Sequence, residues 1–312
     1  MRLSVKFCGI EFENPLVLAS GVLGVTGDSL RYVIKCGAGG VTSKSVWLNV
    51  HKGHKSPVVI ATDHWMLNAV GLPDGGLKKA MEELGGFIKT ESAPLIVNIV
   101  GGKKADFIAI AEKIGEIGPR LIEVNLSCPN VEDEFGKPFA CSIADAAELT
   151  REVKKRLKNI PVSVKLSPNV DNIGEIARAV EDAGADAITA INTLGPGMAI
   201  DIDMRSPILA NKVGGLSGPA IKPIAVKCVY DVYKAVKIPI IATGGVLTGR
   251  DAIEMMMAGG TLVGVGSATY YRGPEVFGKI AKEMEEWCKK NGVKHIKEII
   301  GAAHTNEVSA SM

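Results

Sequence analysis

Short apolar segments that alternate with helical segments constrain the fold of this sequence most strongly. Eight of these segments have the length and the aliphatic composition of strands. In chain order, they span residues 16–19, 40–43, 94–100, 120–126, 162–166, 187–191, 238–242 and 262–265. The segments between them carry apolar residues at helical spacing, as in the stripe formed by Ile110, Ile114 and Ile117. Asp28 and Ser142 are the candidate N-caps of the first and fourth of these helical segments. Such alternation predicts an α/β fold in which helices cover parallel strands.

Two architectures fit this alternation, a closed barrel and an open, doubly wound sheet. The barrel usually takes about 250 residues, so a chain of 312 residues leaves room for two insertions. No G-x-G-x-x-G fingerprint, which would support the open sheet, follows an early strand. We therefore expect a (β/α)8 TIM barrel, forming one domain over 1–312, with long inserted loops at 46–74 and 195–218. The first of these insertions is expected to contain short strands of its own. A short hairpin around Gly9 is expected to precede the barrel.

Charge and cysteine content exclude several classes of function. The 36 basic and 34 acidic residues give a net charge of +2, and no basic stripe predicts a nucleic-acid partner. The six cysteines are scattered without a C-x-x-C pair, which argues against a metal site, an iron–sulfur cluster or a disulfide framework in this chain. No apolar run reaches the roughly 18 residues of a membrane span, and no signal peptide is evident. We expect a soluble, cytoplasmic protein.

Polar residues or glycines lie at or directly after the carboxyl end of every predicted strand. In a barrel of this type, the carboxyl ends of the strands form the active site. A single polar residue after a strand is more often the start of a solvated loop, but here the pattern recurs after all eight strands. The residues at these positions are Ser20, Gly21, Lys44, Ser45, Asn98, Asn125, Lys165, Asn192, Thr193, Gly244, Gly245, Gly266 and Ser267.

The fourth strand carries the most unusual end. Its apolar residues lead into Asn125, Cys128 and Asn130, and Pro129 cannot donate a hydrogen bond to a sheet, so this tip must leave the strand. One interpretation is an Asx-type turn with a buried structural cysteine. The other is a functional site, because buried amides without partners are costly.

Two glycine-containing loops and two lysines indicate an anionic ligand. The loops at 243–246 and 264–267 follow the seventh and eighth strands, where barrels commonly bind phosphate through backbone N–H groups. If Lys44 and Lys165 both point inward, no acidic residue at a neighbouring strand end neutralises them. A reduced flavin or a substrate carboxylate would then supply the negative charge; the alternative is that both lysines lie on the surface.

Six motifs in this sequence resemble those of class 1 dihydroorotate dehydrogenases. They are Thr-Ser-Lys-Ser at 42–45, Asn-Ala-Val-Gly-Leu at 68–72, Asn-Leu-Ser-Cys-Pro-Asn at 125–130, Val-Lys-Leu-Ser-Pro at 164–168, Ile-Asn-Thr at 191–193 and Gly-Gly-Leu-Ser-Gly-Pro-Ala-Ile-Lys-Pro at 214–223. The segments at 68–72 and 191–193 are most similar to the 1B branch of that family. The resemblance extends from Ser20 to about Arg272.

The resemblance implies a barrel that uses FMN to oxidise (S)-dihydroorotate to orotate in de novo pyrimidine biosynthesis. By the same resemblance, Lys44 and Cys128 would be catalytic, with Cys128 as the base, and no metal would bind. FMN would contact Ser20, Lys44, Ser45, Asn98, Asn125, Lys165, Ile191, Gly218, Gly244, Gly245, Gly266 and Ser267. The substrate would contact Lys44, Asn68, Ala69, Val70, Gly71, Leu72, Asn125, Asn130, Asn192 and Thr193.

The chemistry of this reaction suits these residue types. Dihydroorotate loses a hydride from C6 to the flavin and a proton from C5 to a base. A cysteine has a pKa near 8.5 in isolation, and nearby lysines and amides would lower it toward neutrality. Asparagines can donate to and accept from a neutral ureide ring, whereas a carboxylate would repel the charge of the substrate.

Two alternatives remain open within the sequence. Dihydropyrimidine dehydrogenases place their base cysteine further along the loop, and this chain has Cys141 there; however, their first motif has histidine at the position of Asn130, and their iron–sulfur and NADPH domains are absent. A flavin-free synthase or epimerase that binds a sugar phosphate would have carboxylates or Lys–Glu pairs at the strand ends, where this chain has amides and a thiol.

Partners follow from the resemblance as well. Class 1B enzymes pair with a subunit that carries FAD and a [2Fe-2S] cluster and passes electrons to NAD, whereas class 1A enzymes use fumarate without a partner. The absence of a cysteine cluster here fits the first arrangement. The sequence leaves the electron acceptor open, and we expect a homodimer.

Overall fold

Strands and helices alternate along most of the chain in its computed structural model, which describes residues 2–126, 142–157 and 159–305. The strands are β1 (Val5–Phe7), β2 (Ile10–Phe12), β3 (Leu16–Leu18), β4 (Gly40–Thr42), β5 (Val59–Ala61), β6 (Met66–Asn68), β7 (Leu95–Ile99), β8 (Leu121–Asn125), β9 (Val162–Leu166), β10 (Ala187–Ala190), β11 (Leu194–Gly197), β12 (Ile200–Asp201), β13 (Ser206–Pro207), β14 (Gly214–Ser217), β15 (Ile240–Thr243) and β16 (Leu262–Val265). The α-helices are α1 (Gly27–Lys35), α2 (Leu77–Thr90), α3 (Lys104–Glu116), α4 (Ile143–Arg156), α5 (Ile173–Asp182), α6 (Lys222–Ala235), α7 (Gly249–Met257), α8 (Ala268–Arg272) and α9 (Val276–Lys290).

Eight of these strands form a closed parallel barrel. In chain order they are β3, β4, β7, β8, β9, β10, β15 and β16, and each pairs with the next. The last strand closes the ring on the first, with Gly264 opposite Val17. This closure confirms the (β/α)8 barrel and shows that the open sheet was the wrong alternative.

The core lies between the barrel strands and the surrounding helices. Ile122 and Val124 of β8 are fully buried, as are Ile110 and Ile114 on the apolar face of α3. Burial of one such side chain contributes about 1.5–3 kcal/mol, so these helices dock through their apolar stripes. Within the described part of the chain, no helix is both long enough and apolar enough to cross a bilayer.

The starts of two helices show how local sequence sets the boundaries. The side chain of Ser142 accepts a hydrogen bond from the N–H of Asp145 and caps α4, as the sequence predicts. Helix α1 differs, because Thr26 is its N-cap and Asp28 lies inside the first turn. Thr26 forms a capping box with Ser29, which satisfies two backbone donors instead of one. The predicted N-terminal hairpin is confirmed by the antiparallel pairing of β1 with β2.

The two long insertions form one sheet. The first contributes β5 and β6, the second contributes β11 and β14, and the order is β11-β14-β6-β5. Gly215 of β14 lies opposite Asn68 of β6. The sequence predicted short strands in the first insertion but only a loop in the second; the prediction for the second was wrong, because its strands form by pairing with a segment far away in the chain.

A short hairpin in the second insertion exposes apolar side chains. Strands β12 and β13 pair antiparallel, with Asp201 opposite Ser206. Ile202 and Met204 at the tip of this hairpin are 82% and 75% exposed. Met198 and Ile200 beside them are 50% and 59% exposed. Exposed apolar patches of this kind mark surfaces that associate with other molecules.

Candidate active site

The predicted strand-end residues converge at one end of the barrel. Lys165 of β9 donates a hydrogen bond of 2.8 Å to Ser20, which follows β3. These two strands are four positions apart in either direction around the eight-stranded ring, so this contact crosses the mouth of the barrel. Asn192, which follows β10, lies 3.4 Å from Asn125 at the end of β8. Side chains distant in sequence therefore surround a single opening.

Lys165 places a positive charge inside this opening. Its side chain is 5% exposed, and Ser20 is its hydrogen-bond acceptor. No carboxylate oxygen of the described residues lies within 4.0 Å of its ammonium group. A buried cation is costly without a counter-charge, so this side chain favours an anionic or strongly polar ligand beside it.

Lys44 is half-buried, and its environment is more complex than the sequence suggested. Burial lowers the pKa of its ammonium group, and the carboxylate of Asp74 opposes this effect. The prediction considered only acidic residues at neighbouring strand ends, whereas Asp74 belongs to the first insertion. Asp74 accepts hydrogen bonds from the N–H groups of Trp47 and Gly76, which hold its carboxylate in place. An anion bound beside Lys44 would raise this pKa again.

A buried polar layer lies directly below the strand ends. Asn98 is wholly buried and donates from Nδ2 to Glu123 Oε1 at 2.6 Å. Glu123 is 2% exposed, and its Oε2 accepts from the hydroxyl of Thr189 at 2.6 Å. Since β9 separates Glu123 on β8 from Thr189 on β10, this contact lies inside the barrel. The Oδ1 atom of Asn98 is buried and has no donor in the described parts of the chain.

Glu123 was not among the site residues predicted from the sequence. A signal was present, because Glu123 interrupts an apolar strand and precedes Asn125 by two residues. Side chains two residues apart on a strand face the same side. The partners of Glu123 could not be identified in this way, since they come from two other strands.

The loop after β15 requires glycine at two positions. Gly244 and Gly245 have φ angles of 137° and 73°, which disfavour other residues. A Cβ atom on Gly244 would lie 2.6 Å from the Cβ of Ala225, and one on Gly245 would lie 2.7 Å from the Cβ of Lys222. These glycines let the loop pack against the start of α6.

Gly266 differs from these two glycines. Its φ lies outside the left-handed range, and among the described atoms the nearest neighbours of an added Cβ would be Ala19 and Val22, at 3.5 and 3.9 Å. The protein itself therefore leaves room for a side chain here. The backbone N–H groups of Gly245, Gly266 and Ser267 donate to no acceptor in residues 2–126, 142–157 and 159–305. Free N–H groups on adjacent loops suit a phosphate.

Hydrogen bonds and an ion pair from the adjacent helices fix the loop that follows β15. Asp251 accepts from the N–H groups of Leu247 and Thr248 and forms a 2.7 Å ion pair with Lys222. Burial alone would raise the pKa of Asp251, but the hydrogen bonds from Lys222 and the loop outweigh it and lower this pKa. The resulting stabilisation is present above the unfolded-state pKa and is lost as the pH falls through the lowered value. Arg272 adds a 2.7 Å hydrogen bond to the carbonyl of Leu247.

The two segments predicted to bind substrate meet at Gly215. Asn68 Nδ2 lies 3.4 Å from the carbonyl oxygen of Gly215. A Cβ atom on Gly215 would lie only 2.2 Å from Oγ1 of Thr193. Asn68 and Thr193 therefore both lie next to this glycine, although they are 125 positions apart in the chain. The sheet formed by the two insertions produces this arrangement.

His54 supports the rest of the first segment. Its backbone N–H donates to the carbonyl of Val70 at 3.1 Å, and its Nδ1 lies 3.0 Å from the carbonyl oxygen of Ala69. Because that oxygen accepts, Nδ1 carries the proton. The ring would be 2.7 Å from a Cβ on Gly71, and Leu72 follows with a φ of 49°. The backbone of this loop is thus held in a fixed, strained shape.

Some of the remaining predicted site residues are described by the structure, and others lie outside the described residues. Ile191 is buried and donates from its N–H to the carbonyl of Thr243, and Gly218 has a φ of 79° with the Tyr271 hydroxyl 3.1 Å from its Cβ position. Ser45 is buried just after β4. Cys128, Asn130 and Cys141 lie outside the described residues, so the base and its alternative stay predictions.

Comparison with known proteins gives this barrel a family. A family model described as dihydroorotate dehydrogenase matches residues 2–288. Dihydroorotate dehydrogenase B (NAD(+)), catalytic subunit, of Methanocaldococcus jannaschii is 45% identical over 309 residues, covering 97% of this chain and 98% of its relative. The protein of the same name from Methanothermobacter thermautotrophicus is 43% identical over 305 residues, covering 97% and 98%.

A solved structure is similar in fold. It is the DHODH of Eimeria tenella in complex with ferulenol, with a TM-score of 0.85, 23% identity, and coverage of 97% of this chain and 89% of that one. At this identity, the likeness supports the barrel alone. The family match, in contrast, covers almost all of the barrel and the two relatives extend over nearly the whole chain. The chain therefore belongs to the dihydroorotate dehydrogenase family.

Proposed function

We propose that this chain oxidises (S)-dihydroorotate to orotate in pyrimidine biosynthesis, with FMN bound at the mouth of the barrel. One observation carries this proposal: Lys165 is buried in that mouth with no carboxylate within 4.0 Å among the described residues. A ligand with polar or anionic groups is needed beside this charge. The names of the curated relatives specify dihydroorotate dehydrogenase activity for those proteins.

The residues at the mouth fit the chemical groups of FMN. Its phosphate would accept from the N–H groups of Gly245, Gly266 and Ser267, and its ring would lie near Lys165 and the unpaired Oδ1 of Asn98. Other contacts would come from the remaining residues that the family resemblance implies, which are Ser20, Lys44, Ser45, Asn125, Ile191, Gly218 and Gly244. When bound, FMN supplies a hydride acceptor.

The chain itself would bind the substrate and remove its proton. Lys44 would pair with the carboxylate of dihydroorotate, and this contact would offset the burial that lowers the pKa of Lys44. The amides of Asn68, Asn125, Asn130 and Asn192, the hydroxyl of Thr193 and the backbone of 69–72 would hold the ureide ring. Cys128 would accept the proton from C5, and FMN would supply the hydride acceptor.

Gly266 provides a test of the cofactor site. Gly266→Ala should leave the free energy of unfolding of the apoprotein within about 0.5 kcal/mol of wild type, because the added methyl group has room. It should weaken FMN binding by about tenfold or more, because that methyl group would occupy space next to the phosphate. Fluorescence titration of the apoprotein with FMN measures the affinity.

Gly86→Ala is the matched control. Gly86 lies in α2, where an added Cβ meets no atom within 4 Å, so FMN binding should stay at the wild-type value. If Gly266→Ala and wild type bind FMN with equal affinity, Gly266 is not part of the FMN site. A wild-type chain that fails to bind FMN, or binds it without bleaching when dihydroorotate is added anaerobically, would contradict the proposed function.

The two cysteines of residues 127–141 can be distinguished by substitution. Cys128→Ser should lower the rate of flavin reduction by dihydroorotate by about 10²–10⁴-fold and raise its pH optimum, because a hydroxyl loses its proton less readily than a thiol. Cys141→Ser should change little. Stopped-flow absorbance over a range of pH measures both quantities, and the reverse pattern would assign the base to Cys141.

The apolar hairpin of β12 and β13 supports a homodimer. Ile202 and Met204 are highly exposed, and the charges of Asp203 and Arg205 beside them could pair across a two-fold axis. Replacing Ile202 and Met204 together by Asp should halve the mass measured by light scattering. Ile224→Asp, at an exposed position on α6, should leave that mass unchanged. A double variant that keeps the wild-type mass would locate the dimer contact elsewhere.

Electrons are proposed to leave through a partner subunit that carries FAD and a [2Fe-2S] cluster and reduces NAD. The support comes from the names of the relatives, which read B (NAD(+)) and catalytic subunit. The FMN-loaded chain alone should not reduce NAD with dihydroorotate, and the chain co-purified from its own cells with an iron–sulfur polypeptide should. Sustained turnover of the lone chain with fumarate would contradict this proposal.

A further inference from the structure

Glu123 is a buried carboxylate that the proposed reaction does not use. It lies inside the barrel with 2% exposure, and no Lys, Arg or His nitrogen of the described segments is within 4.0 Å of it. Each of its oxygens accepts one hydrogen bond, from Asn98 Nδ2 and from the Thr189 hydroxyl, both at 2.6 Å. A second hydroxyl, of Ser163, lies 3.0 Å from Thr189. An apolar side chain would be a simpler filling for this position, so the carboxylate requires an explanation.

The carboxylate determines which way the amide of Asn98 faces. In its ionised form, Glu123 only accepts hydrogen bonds, so Asn98 must then turn its NH₂ group toward Glu123. The opposite orientation would place two oxygens 2.6 Å apart without a proton between them. The remaining atom, Oδ1, is then an acceptor that is buried and has no donor in the described structure. The backbone of Asn98 is also fixed, because its N–H donates to the hydroxyl of Ser43 at 3.1 Å.

We infer that Glu123 is a positioning residue that acts through Asn98, so that the site presents an acceptor to a donor group of its ligand. This inference rests on the proposed FMN site. Isoalloxazine and pyrimidine rings carry both N–H and C=O groups on one edge, so the orientation of a facing amide decides which group it can bind. A carboxylate at 123 removes that ambiguity before the ligand arrives, whereas a neutral amide there would permit both orientations of Asn98.

A substitution of Thr189 distinguishes this positioning role from a purely structural one. Thr189→Val breaks the same buried network but leaves the contact between Glu123 and Asn98 intact. If Glu123 only stabilises the core, the Glu123 and Thr189 variants should have equal effects on ligand affinity. If Glu123 orients Asn98, substitutions of Glu123 should change ligand affinity and the substitution of Thr189 should not.

The test is a double-mutant cycle on FMN affinity, measured by fluorescence titration of the apoproteins. Glu123→Met should weaken FMN binding by about tenfold. Glu123→Gln, which keeps one acceptor, should restore affinity to within about threefold of wild type. Asn98→Leu should weaken binding, and adding Glu123→Met to it should cause no further loss beyond about threefold, because the two residues act in series. Thr189→Val should stay within about twofold of wild type.

Three results would overturn the inference. The first is wild-type affinity in Glu123→Met, and the second is an equal loss in Thr189→Val. The third is a further loss of about tenfold when Glu123→Met is added to Asn98→Leu, which would mean independent effects. If circular dichroism shows that Glu123→Met does not fold, Glu123→Gln takes its place in the cycle. Glu123→Gln should then lower FMN affinity about threefold when Asn98 is present and should not lower it further in the Asn98→Leu background. Equal losses of affinity in the two backgrounds would contradict the inference. Failure of wild type to bind FMN is a different outcome, which refutes the proposed function itself.

Discussion

The pairing of β16 with β3 is the constraint on which the rest of the structure depends. Because it closes a ring of parallel strands, the carboxyl ends of all eight strands meet around one opening. Lys165 can then contact Ser20 across the ring, and Glu123 can contact Thr189 beneath it. In an open sheet the same residues would lie in a row, with the first and last strands far apart. Closure therefore converts scattered polar residues into one site.

Several polar side chains are buried in the interior of this barrel near its mouth. Asn98, Glu123, Ser163, Lys165 and Thr189 are all buried, and buried polar groups destabilise a fold unless they are hydrogen-bonded. Most of their groups are paired with each other, which limits that cost. The exceptions lie at the top, where Asn98 Oδ1 has no described donor and Lys165 has no carboxylate within reach in the described chain. The unsatisfied groups are thus concentrated where a ligand can satisfy them.

Much of this arrangement could be predicted from the sequence, because it depends on local pattern. The strands, the N-terminal hairpin and the Ser142 cap follow from periodicity and capping chemistry, and the strand-end residues follow from the rule that barrels bind ligands at carboxyl ends. The shared sheet of the two insertions could not be predicted, since the pairing of Gly215 with Asn68 is long-range. The influence of Asp74 on Lys44 and the partners of Glu123 have the same origin: each joins segments that only the folded chain brings together.

A crystal structure of the protein with FMN and orotate bound tests the central claim most directly. The expected result is one site at the barrel mouth, with phosphate oxygens within about 2.7–3.2 Å of the backbone nitrogens of Gly245, Gly266 or Ser267. Lys165 and Asn98 Oδ1 should contact the flavin, and orotate should lie between it and Cys128. FMN bound outside the mouth, or the Lys165 ammonium turned away from it, would contradict the claim.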